Sequence, residues 1–299
     1  MIQNQNISIS ITTYLVQKAK DYKQLVKLNL SLMVVFSCVV GYWINPTVGF
    51  EPLHMLWLFL GGMLVTGAAN AANEVWEQHT DKLMKRTATR PLPAGRMESS
   101  EAIAFAVIAL ALGIGLLWWK FNLLSAFISL VSFVLYVLAY TPLKKVSPIN
   151  VFVGAIPGAL PALIGWSAAS NSIGIAGWSL FALQFLWQFP HFWSIAWLAH
   201  DDYKKAGLKM LPTNSKDNNY TSIQCVHYTL ALLAFSIMPY ITGVTGWIAP
   251  IIIAGAAIYF LYRAIQFFKT NQDAQARQLM FASFIYLPAV YIALIIDKI

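Results

Sequence analysis

Charge is scarce in this chain of 299 residues: charged side chains make up 11% and only 12 of them are acidic. Soluble domains carry about 25% charge, so a water-soluble enzyme is excluded. Long polar linkers and low-complexity tracts are missing as well, and a single domain therefore accounts for nearly the whole sequence. Of the 2 cysteines, Cys38 and Cys225 both fall in apolar stretches; they make neither a ligand cluster nor a disulfide framework, and packing is their expected role. The short alternating strands of a membrane β-barrel are not found either. What is plentiful is apolar side chains, at 58%, with 11 Trp, 13 Tyr and 18 Phe. They recur in runs of about 20 residues, the length of a membrane-crossing helix. The fold class expected is all-α, a polytopic membrane protein. The net charge of +8 would suggest nucleic acid in a soluble chain; here its placement relative to the bilayer matters more, and no nucleic-acid partner is expected.

Dividing the sequence at its polar and Gly/Pro-rich stretches gives nine spans, at 29–49, 55–76, 101–119, 122–141, 150–169, 173–199, 222–244, 247–268 and 279–297. With the N-terminus cytoplasmic, the inside segments hold every one of the 20 basic residues except Lys120 and Lys298. Nine spans, N-terminus in and C-terminus out, thus satisfy the positive-inside rule, whereas a wrong count would scramble the parity. Residues 1–28 read as a cytoplasmic N-terminal tail and 29–299 as one membrane-embedded domain. The tail lacks an apolar stretch with a small-residue cleavage site, and it has no arginine, so neither a secretory signal nor a transit peptide is expected. A bacterial cytoplasmic (inner) membrane is the expected location, with the lipid bilayer as a partner.

Two inside loops, 77–100 and 200–221, are longer than the rest. Each starts with acids at the end of a span and continues into a basic stretch, as in a diverged internal repeat whose halves meet over a shared cavity. Asn73, Glu77 and Asp81 are spaced by four, so on a helix continuing from the second span they drift only slowly around one face. Glu74 lies one residue away. Such a stripe of oxygen donors suits Mg²⁺, which is commonly shared between carboxylates and substrate phosphates, and Asp201 and Asp202 are placed to complete the set from the second loop. Acids at a membrane edge are costly to desolvate and point to function; the plainer reading is the solvated end of a helix. The nearby Lys85, Arg86 and Arg90 tip the balance, because acids for a metal beside bases for phosphate oxygens are what a diphosphate leaving group needs. Taken alone, those bases are equally well explained as topology-setting charge.

Asn73-Glu74-x-x-Glu77-x-x-x-Asp81 resembles the Asn-Asp-x-x-Asp-x-x-x-Asp signature of the membrane-embedded aromatic prenyltransferase superfamily, with Glu77 standing where Asp is usual. The resemblance continues through the run Lys85 to Arg96, Tyr140-Thr141-Pro142-Leu143-Lys144, Gly165-Trp166-Ser167-Ala168, Trp187-Gln188-Phe189-Pro190-His191-Phe192-Trp193, Asp201-Asp202-Tyr203 and Tyr286-Leu287-Pro288. It therefore covers nearly the whole chain. The Trp187–Trp193 block is the most specific, since quinone-directed members carry an Asp-containing motif there, and it points to the haem-directed branch. Lys27-Leu28-Asn29 departs from the Lys-Pro-Arg that many members have.

The resemblance implies nine helices around a central cavity with a cytoplasmic cap made by the two loops. It further implies Mg²⁺-dependent transfer of a farnesyl group from farnesyl diphosphate to a vinyl group of haem B, forming haem O, with a haem A synthase acting downstream. By the same resemblance Asn73, Glu77, Asp81 and Asp202 hold the metal, with Lys85, Arg86, Arg90 and Lys144 on the diphosphate. Tyr140, Trp187 and Gln188 are then candidates for the acceptor pocket, although aromatic residues in such spans commonly serve as packing or interfacial anchors. His191, between Pro190 and Phe192, has three open roles at the porphyrin: iron ligand, propionate partner or proton carrier. A histidine satisfied within the core is the alternative. Pro157, Gly158 and Pro161 are expected to break or kink the fifth span. A quinone-precursor prenyltransferase shares this metal site, and a haem or lipid transporter fits the span count, though transporter sites lie nearer the midplane.

Overall fold

The computed structural model describes residues 11–299, and among them regular structure is helical apart from one bridge pairing Thr245 with Lys298. α1 (Ile11–Leu25) meets α2 (Leu28–Trp43) at a 51° bend. There follow α3 (Pro52–Asp81), α4 (Ser99–Lys120), and α5 (Leu123–Val134), which runs through a π-helical stretch (Leu135–Tyr140) into α6 (Thr141–Val146). Then come α7 (Asn150–Ser170), α8 (Gly174–Leu198), the short α9 (His200–Lys205), α10 (Tyr220–Phe235) with α11 (Met238–Ile241), α12 (Ile248–Thr270) and α13 (Asp273–Ile296). Among the described residues, seven helices are long and apolar enough to cross a membrane, or eight with the bent pair counted as one span. The remaining element of the expected nine is α8. Its 25 residues are long enough at about 1.5 Å each, but Gln184, Gln188 and His191 lower its hydropathy.

The segment expected as a tail contains α1, while residues 1–10 lie outside the described residues. Two ion pairs dock this helix: Lys18 Nζ lies 2.6 Å from Glu101 of α4, and Arg96 Nε lies 2.8 Å from Asp21. Leu25 is fully buried among Ala68, Ala71 and Ala102. At the bend Lys27 takes the left-handed conformation, φ 48°, which a side chain adopts at a cost of about 1–2 kcal/mol. α3 offsets it: Asn70 Nδ2 donates to the Val26 carbonyl at 3.2 Å, and Lys27 Nζ donates to Asn73 Oδ1 at 2.7 Å.

α3 is 30 residues long, about 45 Å against a hydrocarbon core of about 30 Å. Its last third, from about Asn73 onward, therefore stands at or beyond the membrane edge, where polar side chains are affordable. α7 is the hub. Of its apolar stretch 78% is buried, against at most 50% in the other six of these seven helices. Leu160, Leu163 and Ile164 pack with α2, α3 and α5, whereas Val151, Ala155, Ala162 and Trp166 join the core built by α8, α10, α12 and α13. Small residues permit this closeness: a Cβ on Gly165 would lie 1.8 Å from the Cys38 carbonyl oxygen, and one on Gly41 2.4 Å from that of Ala162. Cys38 and Cys225 are both free and buried.

The expected break in α7 does not occur; the helix continues through Pro157 and Pro161. Pro161 has no N–H for the Pro157 carbonyl, and Ser132 Oγ donates there instead at 3.3 Å. Gln188 Nε2 donates to the Ala155 carbonyl and Gln184 Nε2 to that of Gly158, both at 2.9 Å. Gly158 makes room for Gln188, whose Oε1 would be 1.9 Å from any Cβ at that position.

The two basic residues that fall outside the charge rule have local partners. Lys120 Nζ lies 3.6 Å from the ring centre of Trp119, and Lys298 Nζ donates to the carbonyls of Trp43 and Val48, each at 2.6 Å. Beside it Asp297 Oδ2 accepts from the amide of Ala249 at 2.7 Å, so residues 297–298 clasp α2 and α12 together. The α2–α7 crossing yields a test: Gly165→Ala should lower stability in detergent by at least about 1–3 kcal/mol through overpacking, whereas Gly115→Ala, with open space around it, should leave the melting temperature unchanged or slightly raised.

Candidate active site

The polar end of α3 is buried rather than solvated: Asn73 and Glu74 are 0% exposed, Asp81 1% and Glu77 8%. Burial of carboxylates requires partners, and each is supplied by a different part of the chain. Lys144, on α6, sets Nζ 2.8 Å from Glu77 Oε1. Arg90, in the loop after α3, sets Nη1 2.7 Å from Asp81 Oδ2. Glu74 Oε1 accepts the backbone N–H of Leu92 at 3.2 Å, and Asn73 joins Lys27 to Thr141, its Nδ2 donating to Thr141 Oγ1 at 3.1 Å. Four segments, α3, α6, the loop after α3 and the α1–α2 bend, thus converge on one buried polar cluster of three acids and three bases.

The geometry around Lys144 has a local cause. The π-helical turn before α6 widens the helix by one residue, and Thr141 Oγ1 donates back to the Tyr136 carbonyl at 2.8 Å. Lys144 Nζ lies 4.4 Å from the centre of the Tyr140 ring, which itself packs 5.4 Å from Tyr136. A cation held over an aromatic face beside an acid is a place where positive charge is tolerated.

The cap loops meet through this same region. Lys209 N–H donates to the Lys144 carbonyl at 2.7 Å, and Asn150 Nδ2 donates to the Lys209 carbonyl at 2.6 Å. Met84 of the first loop shares a buried cluster with Ala206, Leu208 and Met210 of the second. Arg96 braces the first loop by holding both Asp21 and the Thr89 carbonyl, the latter at 3.0 Å, next to Arg90.

Of the residues picked out in the sequence, Asn73, Glu77, Asp81, Arg90, Lys144 and Tyr140 are brought together. Lys85 and Arg86 are exposed on the cap, and Asp201 and Asp202 stand in the first turn of α9 with no ion pair among the described residues. No three His, Cys, Asp or Glu side chains among the described residues converge as a metal-ligand group, because Glu77 and Asp81 are turned toward Lys144 and Arg90. The donor set nevertheless fits a hard cation, since Asp81 Oδ1 and Glu74 Oε2 are buried oxygens without a hydrogen-bond donor among the described residues. Gln188 points at the backbone of α7, while Trp187 and His191 face α13, where Trp187 Nε1 donates to the Ser283 carbonyl and His191 Nδ1 lies 2.7 Å from Ser283 Oγ. Lys27 is the site residue that sequence reasoning passed over. A single lysine ahead of an apolar run reads as topology, and only the bend brings it to Asn73.

With this geometry in place, comparison with known proteins is direct. The model of the UbiA prenyltransferase family matches residues 34–287, and the chain belongs to that family. It is 42% identical to a protohaem IX farnesyltransferase of Cytophaga hutchinsonii over 93% of this chain and 97% of the relative. Among solved structures, one of digeranylgeranylglyceryl phosphate synthase in membranes superposes with a TM-score of 0.79 at 22% identity, covering 94% of this chain and 98% of that one. A UbiA homologue from Archaeoglobus fulgidus, bound to DMAPP and Mg²⁺, gives a TM-score of 0.68 at 17% identity, with coverage of 92% and 99%.

The buried pair supports a test that needs no substrate. Lys144→Met alone strands Glu77, and the protein should lose about 3–5 kcal/mol of stability. Adding Glu77→Gln should restore most of the lost melting temperature, and equal losses in the single and double variants would show that the two side chains are not coupled.

Proposed function

We propose that this multi-pass membrane protein transfers the farnesyl group of farnesyl diphosphate to a vinyl group of haem B, with uptake of water, to give haem O and diphosphate. The observation that carries the reading is the buried cluster of paired acids and bases at the end of α3, in a chain 42% identical to a protohaem IX farnesyltransferase. Asn73, Glu77, Asp81 and, from α9, Asp202 together with its neighbour Asp201 would hold Mg²⁺, which supplies Lewis-acid polarisation of the diphosphate when bound.

The remaining chemistry belongs to the side chains. Lys27, Arg90 and Lys144 each sit within hydrogen-bond distance of a cluster oxygen on Asn73, Asp81 or Glu77. They would exchange those partners for diphosphate oxygens and neutralise the charge that grows as the allylic C–O bond breaks. Lys85 and Arg86, exposed on the cap, draw the anionic substrate in from water. The ring faces of Tyr140 and Tyr136 favour the cationic farnesyl carbon until the electron-rich vinyl group attacks it. Water then captures the porphyrin-side cation as a hydroxyl. Trp187 and His191 serve the acceptor half, and Gln188 fixes α8 to α7 behind them.

The charge pattern supports a topology with the N-terminus inside and the C-terminus outside in a bacterial cytoplasmic membrane, with α8 as the ninth crossing; the haem O formed would be the substrate of a haem A synthase. A quinone-precursor acceptor is the same-class alternative; a transporter is disfavoured because the charges gather at one end of the bundle rather than midway.

Incubating the purified protein with farnesyl diphosphate and haem should give porphyrin heavier by one farnesyl and one hydroxyl group on mass analysis. Free haem unchanged, with a quinone precursor prenylated, would overturn the acceptor. Asp81→Asn and Asp202→Asn should each reduce turnover at least 100-fold, the order seen when one group stabilising transition-state charge is removed, without loss of membrane insertion. Near-normal haem O formation at low Mg²⁺ in either variant would rule out its metal role.

A further inference from the structure

His191 is held at the seam of α8 and α13 by one residue. Its ring stacks on Trp187, with centroids 4.6 Å apart and planes 17° from parallel, and Phe284 meets it edge-on at 5.2 Å. Ser283 anchors both members of the stack: its carbonyl accepts Trp187 Nε1–H at 2.8 Å, and its hydroxyl lies 2.7 Å from His191 Nδ1.

That hydroxyl has only one proton, and its position follows from the second contact it makes. Ser283 Oγ is 2.5 Å from the Met280 carbonyl oxygen. A carbonyl cannot donate, so the proton must lie on that line; otherwise two oxygen lone pairs would face each other at that distance. The serine oxygen is then an acceptor toward the imidazole, and Nδ1 must carry the ring hydrogen. In the neutral ring Nε2 is left with a free lone pair. It has no hydrogen-bond partner among the described residues, yet it is not one of the sealed unpartnered atoms, so it opens onto accessible space beside the half-exposed Phe284.

We infer that Ser283 is a positioning residue that fixes the Nδ1–H tautomer of His191 and so presents Nε2 to the iron of the haem substrate. The inference rests on the haem acceptor proposed above and deepens it. A metal-bound histidine almost always donates its other N–H to a fixed acceptor, and a ring clamped between an indole and a phenyl edge cannot turn to offer Nδ1 instead. A propionate partner would need a donor at Nε2, the opposite of what this tautomer offers.

The test compares Ser283→Thr with the near-isosteric Ser283→Val in the full-length protein. Threonine makes the same bond back to the preceding turn, whereas valine, of the same shape as threonine, removes the acceptor without a further change of volume. Binding of ferric haem is followed by its Soret band, and binding of metal-free protoporphyrin IX by fluorescence. Ser283→Val should weaken haem binding about tenfold, the lower end of what an outer partner of a metal ligand contributes, and move the band toward that of His191→Ala. Ser283→Thr should match the wild type. Affinity for metal-free protoporphyrin and for farnesyl diphosphate should be the same in all of them. Wild-type haem affinity and spectrum in Ser283→Val, with His191→Ala defective, would overturn the role of Ser283 and leave the haem acceptor standing. Unchanged haem binding in His191→Ala would overturn the iron contact itself, and absence of haem binding by the wild type would overturn the acceptor reading beneath it.

Discussion

Everything at the working end of this bundle depends on mutual neutralisation of charges that water does not reach. α3 buries Glu74, Glu77 and Asp81 within two turns of one another, an arrangement that no helix could sustain alone. Each acid recruits a donor from elsewhere: a base on α6, a base in the following loop, a backbone amide at Leu92. The chain is pulled into shape around those demands, since the loop must turn back on itself and α6 must lie against α3. The same need gives the cluster its chemical capacity. Bases balanced against acids can change partners when a metal and a polyanion arrive together, at little net electrostatic cost.

α7 supplies the complementary constraint. A helix in contact with both halves of the molecule must be thin, and its glycines and alanines make it so; a helix carrying two prolines must also find donors for carbonyls left bare. Ser132 provides one for the carbonyl of Pro157, and Gln184 and Gln188 add bonds to the carbonyls of Gly158 and Ala155. Polar residues in the apolar interior thereby connect α5 and α8 to the hub, and Gln184 passes the link on to α13 through the hydroxyl of Tyr291 at 2.9 Å. The stack of Trp187 and His191 lies one helical turn along this same network, so the proposed acceptor side is held by the bonds that tie α8 to α7.

Much of this architecture was legible in the sequence. Runs of apolar residues located every long helix, because the bilayer imposes one length scale on all of them, and the four-residue spacing of Asn73, Glu77 and Asp81 placed them on a single stripe. Three things were not legible. Lys27 enters the site through a two-residue bend with a left-handed lysine, a tertiary effect without any Gly or Asn to announce it. The prolines of α7 suggested a break or kink, because local rules cannot see a serine arriving from 25 residues away to donate to the carbonyl that Pro161 leaves bare. Ser283 is one serine among many, and its importance comes only from which ring lies across the seam.

The clasp made by Asp297 and Lys298 bears on how the molecule is put together over time. Lys298 reaches carbonyls 250 and 255 positions earlier in the chain, among the most distant contacts in sequence that the structure contains. While the ribosome is still delivering helices, the end of α2 therefore waits with two bare carbonyls. Early spans can insert and pair with their neighbours one after another, but the ring of helices stays unsealed on that side until residue 298 emerges. Closure on that side therefore waits for the last helix, because the contact it needs joins segments far apart in sequence.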